Sequence, residues 1–362
     1  MIVAGKWDDE GGRPSGYMRK FIDEFRRCSY HIEHNGGQWD YLFNVVMREV
    51  TGEDVILWFP EVSNLKKKLV REIKNNNPKA ILVTSKNNDG DKYSFMQMAA
   101  HALKNKANLF IEFKRKDGKV IASIYDPLGN CFCKETENIN KLVYTLSQRI
   151  KVLCEMTRVG SVQIGEEIKP YQDYDLLKFI EIIKENADTF HNLIHGANPS
   201  RFMGNCSFRC TVGGFPSFRT EDLIFVSRRN MDKRDISPDG FVAVEPITLY
   251  DYMKGKVTVK YYGEHKPSVD TPIQLALYAI YPHINWMVHS HVYLDGMKFT
   301  KNVVPCGAMQ EVDEILAVEP KSNAKKWMVN LRGHGSIVAM DECAYMQGLP
   351  YIAREFPELQ RS

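Results

Sequence analysis

Two histidines, His289 and His291, flank Ser290 at the end of the apolar run Ile284-Asn-Trp-Met-Val288. An apolar run of this length reads as a strand. Residues two apart on a strand share a face, so both imidazoles can approach one ion. A third candidate, His334, stands in Leu331-Arg-Gly-His-Gly335, just ahead of another apolar run. The glycines on either side of it let backbone segments come close. Three imidazoles around an open fourth position are how a catalytic zinc is held. A lone HxH pair is more often structural or incidental, so the surrounding sequence decides.

That context contains several ordered motifs. Lys266-Pro-Ser-Val-Asp270-Thr-Pro is followed by the apolar stretch to Tyr281, then Pro282-His-Ile-Asn285, then Trp286-Met-Val-His-Ser-His291. Upstream lies Gly204-Asn-Cys-Ser-Phe-Arg209; downstream lie Val303-Val-Pro-Cys-Gly307 and Asn330-Leu-Arg-Gly-His-Gly335. From about Asp175 onward this series resembles the class II aldolase/adducin family.

The resemblance implies Zn2+, or another divalent metal, on His289, His291 and His334. It places the family's catalytic acid/base on Asp270. Asp followed by Thr-Pro is closer in flavour to the L-ribulose-5-phosphate 4-epimerases than to aldolases, which mostly have Glu there. A metal held by neutral imidazoles polarises vicinal hydroxyl and carbonyl oxygens of a ketose and stabilises an enediolate. A carboxylate beside it shuttles the proton or serves as a further ligand. Read locally, Asp270 is also a favoured helix N-cap before Thr271-Pro272, and both roles are compatible.

The family's substrate and phosphate positions fall on Asn205, Ser227, Arg228, Arg229 and Ser268. Ser227-Arg-Arg-Asn230 replaces the usual T-P-S-G phosphate loop. Asn tolerates the left-handed conformation that Gly would take. Either arginine offers forked hydrogen bonds to a phosphate. The alternative is that Arg228 to Asp235 is a solvated charge run. Three departures bear on the reaction. Val269 removes one hydroxyl of the family's serine turn. The short gap from His291 to Pro305 omits the segment with the epimerases' second Asp. The sequence ends at Ser362, before the family's tail tyrosine, and Tyr345 and Tyr351 are poor substitutes.

The expected function is therefore a zinc-dependent aldolase or epimerase, a metal-dependent lyase-type enzyme, acting on a phosphorylated sugar. Alternatives are a non-catalytic adducin-type binding or assembly module and a sugar-phosphate dehydratase. The resemblance also implies a homo-oligomer, the cyclic tetramer being the family's usual form.

These residues need a scaffold. After a helix over residues 175–191, short strands crowd together at 206–211, 222–226, 240–244 and 256–262, then at 284–289, 303–304, 327–331 and 335–338. Helices at 271–281 and 341–356 complete a mixed, largely antiparallel α/β/α domain over 174–362. Residues 1–156 alternate differently. Strand-like runs at 1–4, 54–59, 80–84, 107–113 and 119–125 are separated by helical patterns at 17–30, 65–74, 93–104 and 139–153. This is the rhythm of a doubly wound, Rossmann-like α/β domain whose last two strands form a hairpin through Asp117-Gly118. Residues 157–173, with Gly160, Gly165 and Pro170, read as the linker.

Ligands of doubly wound sheets bind beyond the carboxyl ends of strands. The loops there are Gly5 to Gly16, Pro60 to Asn64, Ser85 to Asp91 and Asp126 to Asn130. The first is glycine-rich, carries Lys6 and Arg13 and leads into a helix, so a nucleotide or other anion is a candidate ligand. It matches neither GxGxxG nor the Walker spacing.

Composition excludes little else. A chain of 362 residues with 44% hydrophobic and 26% charged residues is globular and long enough for two cores. The net charge of +3 gives no general electrostatic reason to bind nucleic acid or membrane. No apolar run is long enough to span a bilayer, no signal peptide is evident, and a cytoplasmic location is expected. Eight cysteines without a CxxC pair do not form a disulfide framework. On a strand, Cys131 and Cys133 would share a face and could grip a soft metal together, but their expected role is as small buried apolar groups.

Overall fold

The computed structural model describes residues 2–5, 8–9, 13–14, 16–34, 55–59, 80–156, 159–191, 196, 198–211, 222–255, 257–319, 323 and 325–360. The chain divides into two units: Met1–Arg158 with Gly196–Asn198 and Glu355–Ser362, and Val159–His195 with Pro199–Arg354.

In the first unit, strands Ile2–Gly5, Glu33–His34, Val55–Phe59, Ile81–Asn87 and Leu109–Lys116 run parallel in the spatial order second, first, third, fourth, fifth. Lys119–Tyr125 and Asn130–Thr136 extend the sheet antiparallel, and Glu358–Leu359 closes it beside Asn130–Thr136. This is a doubly wound order that reverses beside the first strand. It is not the 3-2-1-4-5-6 order of a Rossmann dinucleotide fold.

Alternation explains the layering. Leu109, Ile111 and Phe113 pack with Phe21 and Phe25 of helix Gly16–Arg27 and Leu142 and Leu146 of helix Ile139–Met156. Phe110 points the other way and meets Phe95 of helix Phe95–Lys104. Each such buried side chain contributes about 1.5–3 kcal/mol. The expected hairpin is present: Lys116 pairs with Lys119, and Asp117 and Gly118 take φ of 51° and 75°, as a two-residue primed turn requires.

Part of the glycine-rich stretch forms a short ribbon, Asp8–Asp9 against Arg13–Pro14. Lys6, the loop at 60–64 and the helix expected over 65–74 lie outside the described residues. A cavity of about 250 Å³ opens at the carboxyl end of Ile81–Asn87, lined by Ser85, Lys86, Tyr93 and His101 among others. Cys131 and Cys133 are buried free thiols, and burial pushes Cys131 up to about 11.

The second unit has an eight-stranded sheet in the order Gly160–Gly165, Thr258–Tyr262, Phe241–Val244, Asp222–Ser227, Asn205–Thr211, Trp286–Ser290, Gly335–Met340, Lys326–Leu331. Every neighbouring pair is antiparallel except the first. Trp286 and Val288 face Phe179 of helix Tyr174–Glu185. Met287 faces the opposite layer, with Leu275 and Tyr278 of helix Thr271–Ile280. Parity then puts His289 on the Thr271–Ile280 side.

Three expected elements differ in form, and the strand expected at 303–304 is irregular chain instead. Within the expected linker, Gly160–Gly165 is an edge strand paired with Thr258–Tyr262, while residues 157–158 lie outside the described residues. The helix expected over 175–191 ends at Glu185 and resumes as a 3-10 turn, Ala187–Phe190. The helix expected over 341–356 is instead a 3-10 turn, Cys343–Met346, and strands Tyr351–Ile352 and Glu358–Leu359. Gly348, at φ 68°, and Pro350 interrupt it. Tyr351 therefore pairs with Leu294, and the last strand belongs to the first unit's sheet.

Candidate metal centre

His289 lies at the end of the central strand, between Asn205 on one neighbour and Ile337 on the other. His291 follows where that strand ends. His334 occupies the turn joining Lys326–Leu331 to Gly335–Met340, which Gly333 makes possible at φ 69°. The three rings converge, with centroids 4.5 Å apart for His289–His334 and 5.0 Å for the other two pairs. One candidate ligand atom from each lies within 4.8 Å of the others, and all three side chains are buried.

The hydrogen bonds dictate which nitrogens remain available. His289 Nδ1 is 3.0 Å from the Ser336 carbonyl. A carbonyl only accepts, so Nδ1 carries the proton and the Nε2 lone pair is left over. Nε2 is buried without a hydrogen-bond partner, 3.8 Å from Asp270 Oδ2. His291 Nδ1 is likewise buried and unpartnered. His334 Nδ1 is 2.8 Å from Glu311 Oε1, and its Nε2 is 3.0 Å from Cys306 Sγ.

Burial, reinforced by His334, lowers His289 to about 4. Burial, with His289 next, holds His291 well below the usual imidazole range. These two imidazoles are therefore neutral at physiological pH, as a metal ligand must be. Burial would lower His334 too, but Cys306 and Glu311 outweigh it and raise it. An ion binding there must displace the His334 Nε2 proton. An unsatisfied buried polar group costs about 1–3 kcal/mol. Several converge here, and a divalent cation would satisfy them, so the donor set fits a metal.

Asp270 directly precedes helix Thr271–Ile280, with Pro272 in the first turn, but its carboxylate makes no capping bond. It faces the histidines instead. Asn205 Nδ2 donates to Oδ2 at 3.1 Å, and Oδ1 is buried without a partner. The Gln274 amide donates to Asn205 Oδ1, so the Asn205 side chain on the strand ties the helix to this carboxylate. The Asp270 side chain is thus free for chemistry rather than spent on capping.

The remaining expected residues are arranged less uniformly. Ser268 supports the turn: its hydroxyl accepts from Asp270 N at 3.5 Å and its carbonyl from the Thr271 hydroxyl at 2.7 Å. The Ser227 hydroxyl is buried and accepts from Cys206 N at 3.2 Å. Arg228 is paired with Glu167 at 3.0 Å. Arg229 Nε donates to the Pro267 carbonyl at 3.3 Å; burial lowers its pKa, with Asp270 opposing. Asn230 takes the left-handed φ of 60° expected of it.

Four residues were not singled out by sequence. Glu311 is the second residue of helix Gln310–Val318, where an acid ordinarily faces water; here it is buried against His334. Cys306 stood out only within a motif. Gln274 sits on a wholly apolar-looking helix. Lys233 falls in the supposedly solvated charge run, yet it is fully buried. Its Nζ donates to the carbonyls of Met203, Gly204 and Met231 at 3.2, 2.8 and 3.1 Å.

The solved structure of YgbL from Klebsiella pneumoniae is similar at 13% identity and a TM-score of 0.32, covering 47% of this chain and 80% of that one. The N-terminal class II aldolase domain of a conserved protein from Thermoplasma acidophilum is similar at 16% identity and a TM-score of 0.31, covering 49% and 88%. No curated protein matches the chain. Residues 185–344 match the family model of the class II aldolase and adducin N-terminal domain. The C-terminal half of this chain belongs to the class II aldolase/adducin family.

Proposed function

We propose that the second unit is a divalent-metal-dependent lyase or epimerase that acts on a phosphorylated sugar. The observation that carries this reading is the convergence of buried, unpartnered His289 Nε2 and His291 Nδ1 beside an uncapped Asp270 carboxylate. His289, His291 and His334 would hold the ion, and zinc suits an imidazole set. When bound, it supplies Lewis acidity toward adjacent oxygens of a ketose.

The protein's own groups do the rest. Asp270, with Oδ1 unpartnered, is the group placed to accept or return a proton at a carbon or hydroxyl next to the centre. Asn205 holds the other oxygen of that carboxylate and so fixes its orientation. Arg229 is solvent-exposed and within electrostatic reach of Asp270, which makes it the better candidate of the two arginines for a substrate phosphate. Arg228 is already engaged by Glu167.

The test is zinc binding to the full chain followed by turnover assays on phosphorylated ketoses, scoring both cleavage and epimerisation. Wild type should bind zinc and turn over at least one of them. Asp270→Asn should keep the metal and lose about 10²–10⁴-fold in rate. His289→Ala should lose both. A wild-type protein without measurable zinc affinity would overturn the reading. Zinc binding without turnover of any phosphorylated ketose would replace it with a binding module.

A further inference from the structure

We propose that Cys306 supplies a thiolate to the same ion as His289, His291 and His334, making this a sulfur-containing centre. The proposal rests on the metal reading above and adds a ligand to it.

His334 Nδ1 is occupied by Glu311, so Nε2 is the nitrogen left for a metal. That nitrogen lies 3.0 Å from Cys306 Sγ. Nitrogen and sulfur donors on one tetrahedral zinc, with bonds of about 2.0 and 2.3 Å, are roughly 3.5 Å apart. A shift of about half an ångström therefore brings both into coordination. Cys306, Asp270 and His334 offer donor atoms all within 4.8 Å of one another, as the three histidines do, and His334 is common to both groups. The two sets adjoin through His334.

The backbone explains why the thiol stands there. Gly307 takes φ 76° and is pressed against the turn before Asp270: a Cβ on it would lie 2.8 Å from the Val269 carbonyl oxygen. That close approach delivers Cys306 to the Asp270 side of the cluster.

A rival arrangement uses the same distances. Cys306, His334 and Glu311 line up as a nucleophile, base and orienting acid. That triad leaves His289 Nε2, His291 Nδ1 and Asp270 Oδ1 buried and unpartnered. A shared ion gives these groups a common partner, so the structure favours the metal thiolate. Binding is then Cys–SH and the His334 imidazolium plus a divalent ion giving a metal-bound thiolate and neutral imidazole, with two protons released to solvent. A soft sulfur donor biases the site toward zinc and cobalt and away from magnesium and manganese.

The experiment is titration of the full chain with Co2+, read by visible absorption for the ion and by near-ultraviolet sulfur-to-cobalt charge transfer for the thiolate. Wild type should show both. Cys306→Ser and Cys306→Ala should bind cobalt without the charge-transfer band. Their zinc affinity should fall by at least about a hundredfold, since losing an outer-shell partner alone costs about 10–100-fold. A variant-free readout guards against misfolding: zinc should protect Cys306 of wild type from iodoacetamide, and a chelator should restore labelling. Cobalt bound without the band, or a band that survives in Cys306→Ser, overturns the thiolate while leaving the metal reading intact. Labelling of Cys306 that zinc does not slow also overturns it. Absence of any cobalt binding overturns both.

Discussion

Glu311 Oε1 lies 2.8 Å from His334 Nδ1, and both side chains are almost wholly out of water. The contact settles the ring's tautomer: an ionised carboxylate only accepts, so Nδ1 carries the hydrogen and Nε2 is turned to the cluster. Burial raises the Glu311 carboxyl, with His334 opposing, so neither group is stable there as an isolated charge. Glu311→Gln retains an acceptor and nearly the same volume but removes the charge. We expect zinc affinity to drop about 10–100-fold, measured by competition with a chelating dye, while metal-free thermal stability changes little. Unchanged affinity would reduce Glu311 to a packing role.

Lys233 makes a different kind of prediction. Its Nζ is bonded to three carbonyls, one of them that of Gly204, which in turn abuts His289: a Cβ on Gly204 would lie 2.6 Å from the His289 carbonyl oxygen. Burial lowers the ammonium to about 8. Between about pH 8 and the ordinary lysine value near 10.4, the unfolded chain holds a proton that the folded chain has released. Stability must therefore rise with pH across that window. Denaturant unfolding of wild type and Lys233→Met at successive pH values isolates the effect. The wild-type curve should climb relative to the variant from about pH 8 to 10; parallel curves would show that Lys233 titrates normally.

The three histidines that converge were readable as a group because their signals are local. The alternation of His289 and His291 at the end of an apolar strand, and the glycines beside His334, are properties of a few adjacent residues. Asp270 was readable for the same reason, although its capping geometry and its chemistry gave the same sequence pattern; only the missing capping bond separates them. Glu311 and Lys233 were not readable. An acid in a first helical turn and a lysine in a charge run are usually solvated, and here each is buried by elements distant in sequence. The tail failed by a related route. Residues 341–356 have helical composition, but Gly348 and Pro350 stop the helix, and the rest pairs with strands far upstream. In the first unit, the parallel strands followed from their apolar runs, whereas Asn130–Thr136, with its alternation weakened by Lys134 and Glu135, was missed.

Gly335 sets the closest backbone approach in the centre. It pairs with Leu331 across the turn that carries His334. A Cβ there would overlap the Ser290 carbonyl oxygen and lie 2.8 Å from His291 Cα, both backbone atoms that no side-chain rotation can relieve. Gly335→Ala must therefore move the end of the Trp286–Ser290 strand, and His291 with it. Overpacking of this kind costs about 1–3 kcal/mol, which a thermal melt of metal-free protein resolves. The more telling readout is zinc affinity, which should fall because the His291 nitrogen is displaced from its partners. Gly160→Ala is the control: it also lies on a strand, but nothing stands within 4 Å of its Cβ position, so neither melt nor affinity should change. If Gly335→Ala binds zinc as tightly as wild type, the His291 imidazole is not held in place by this backbone contact.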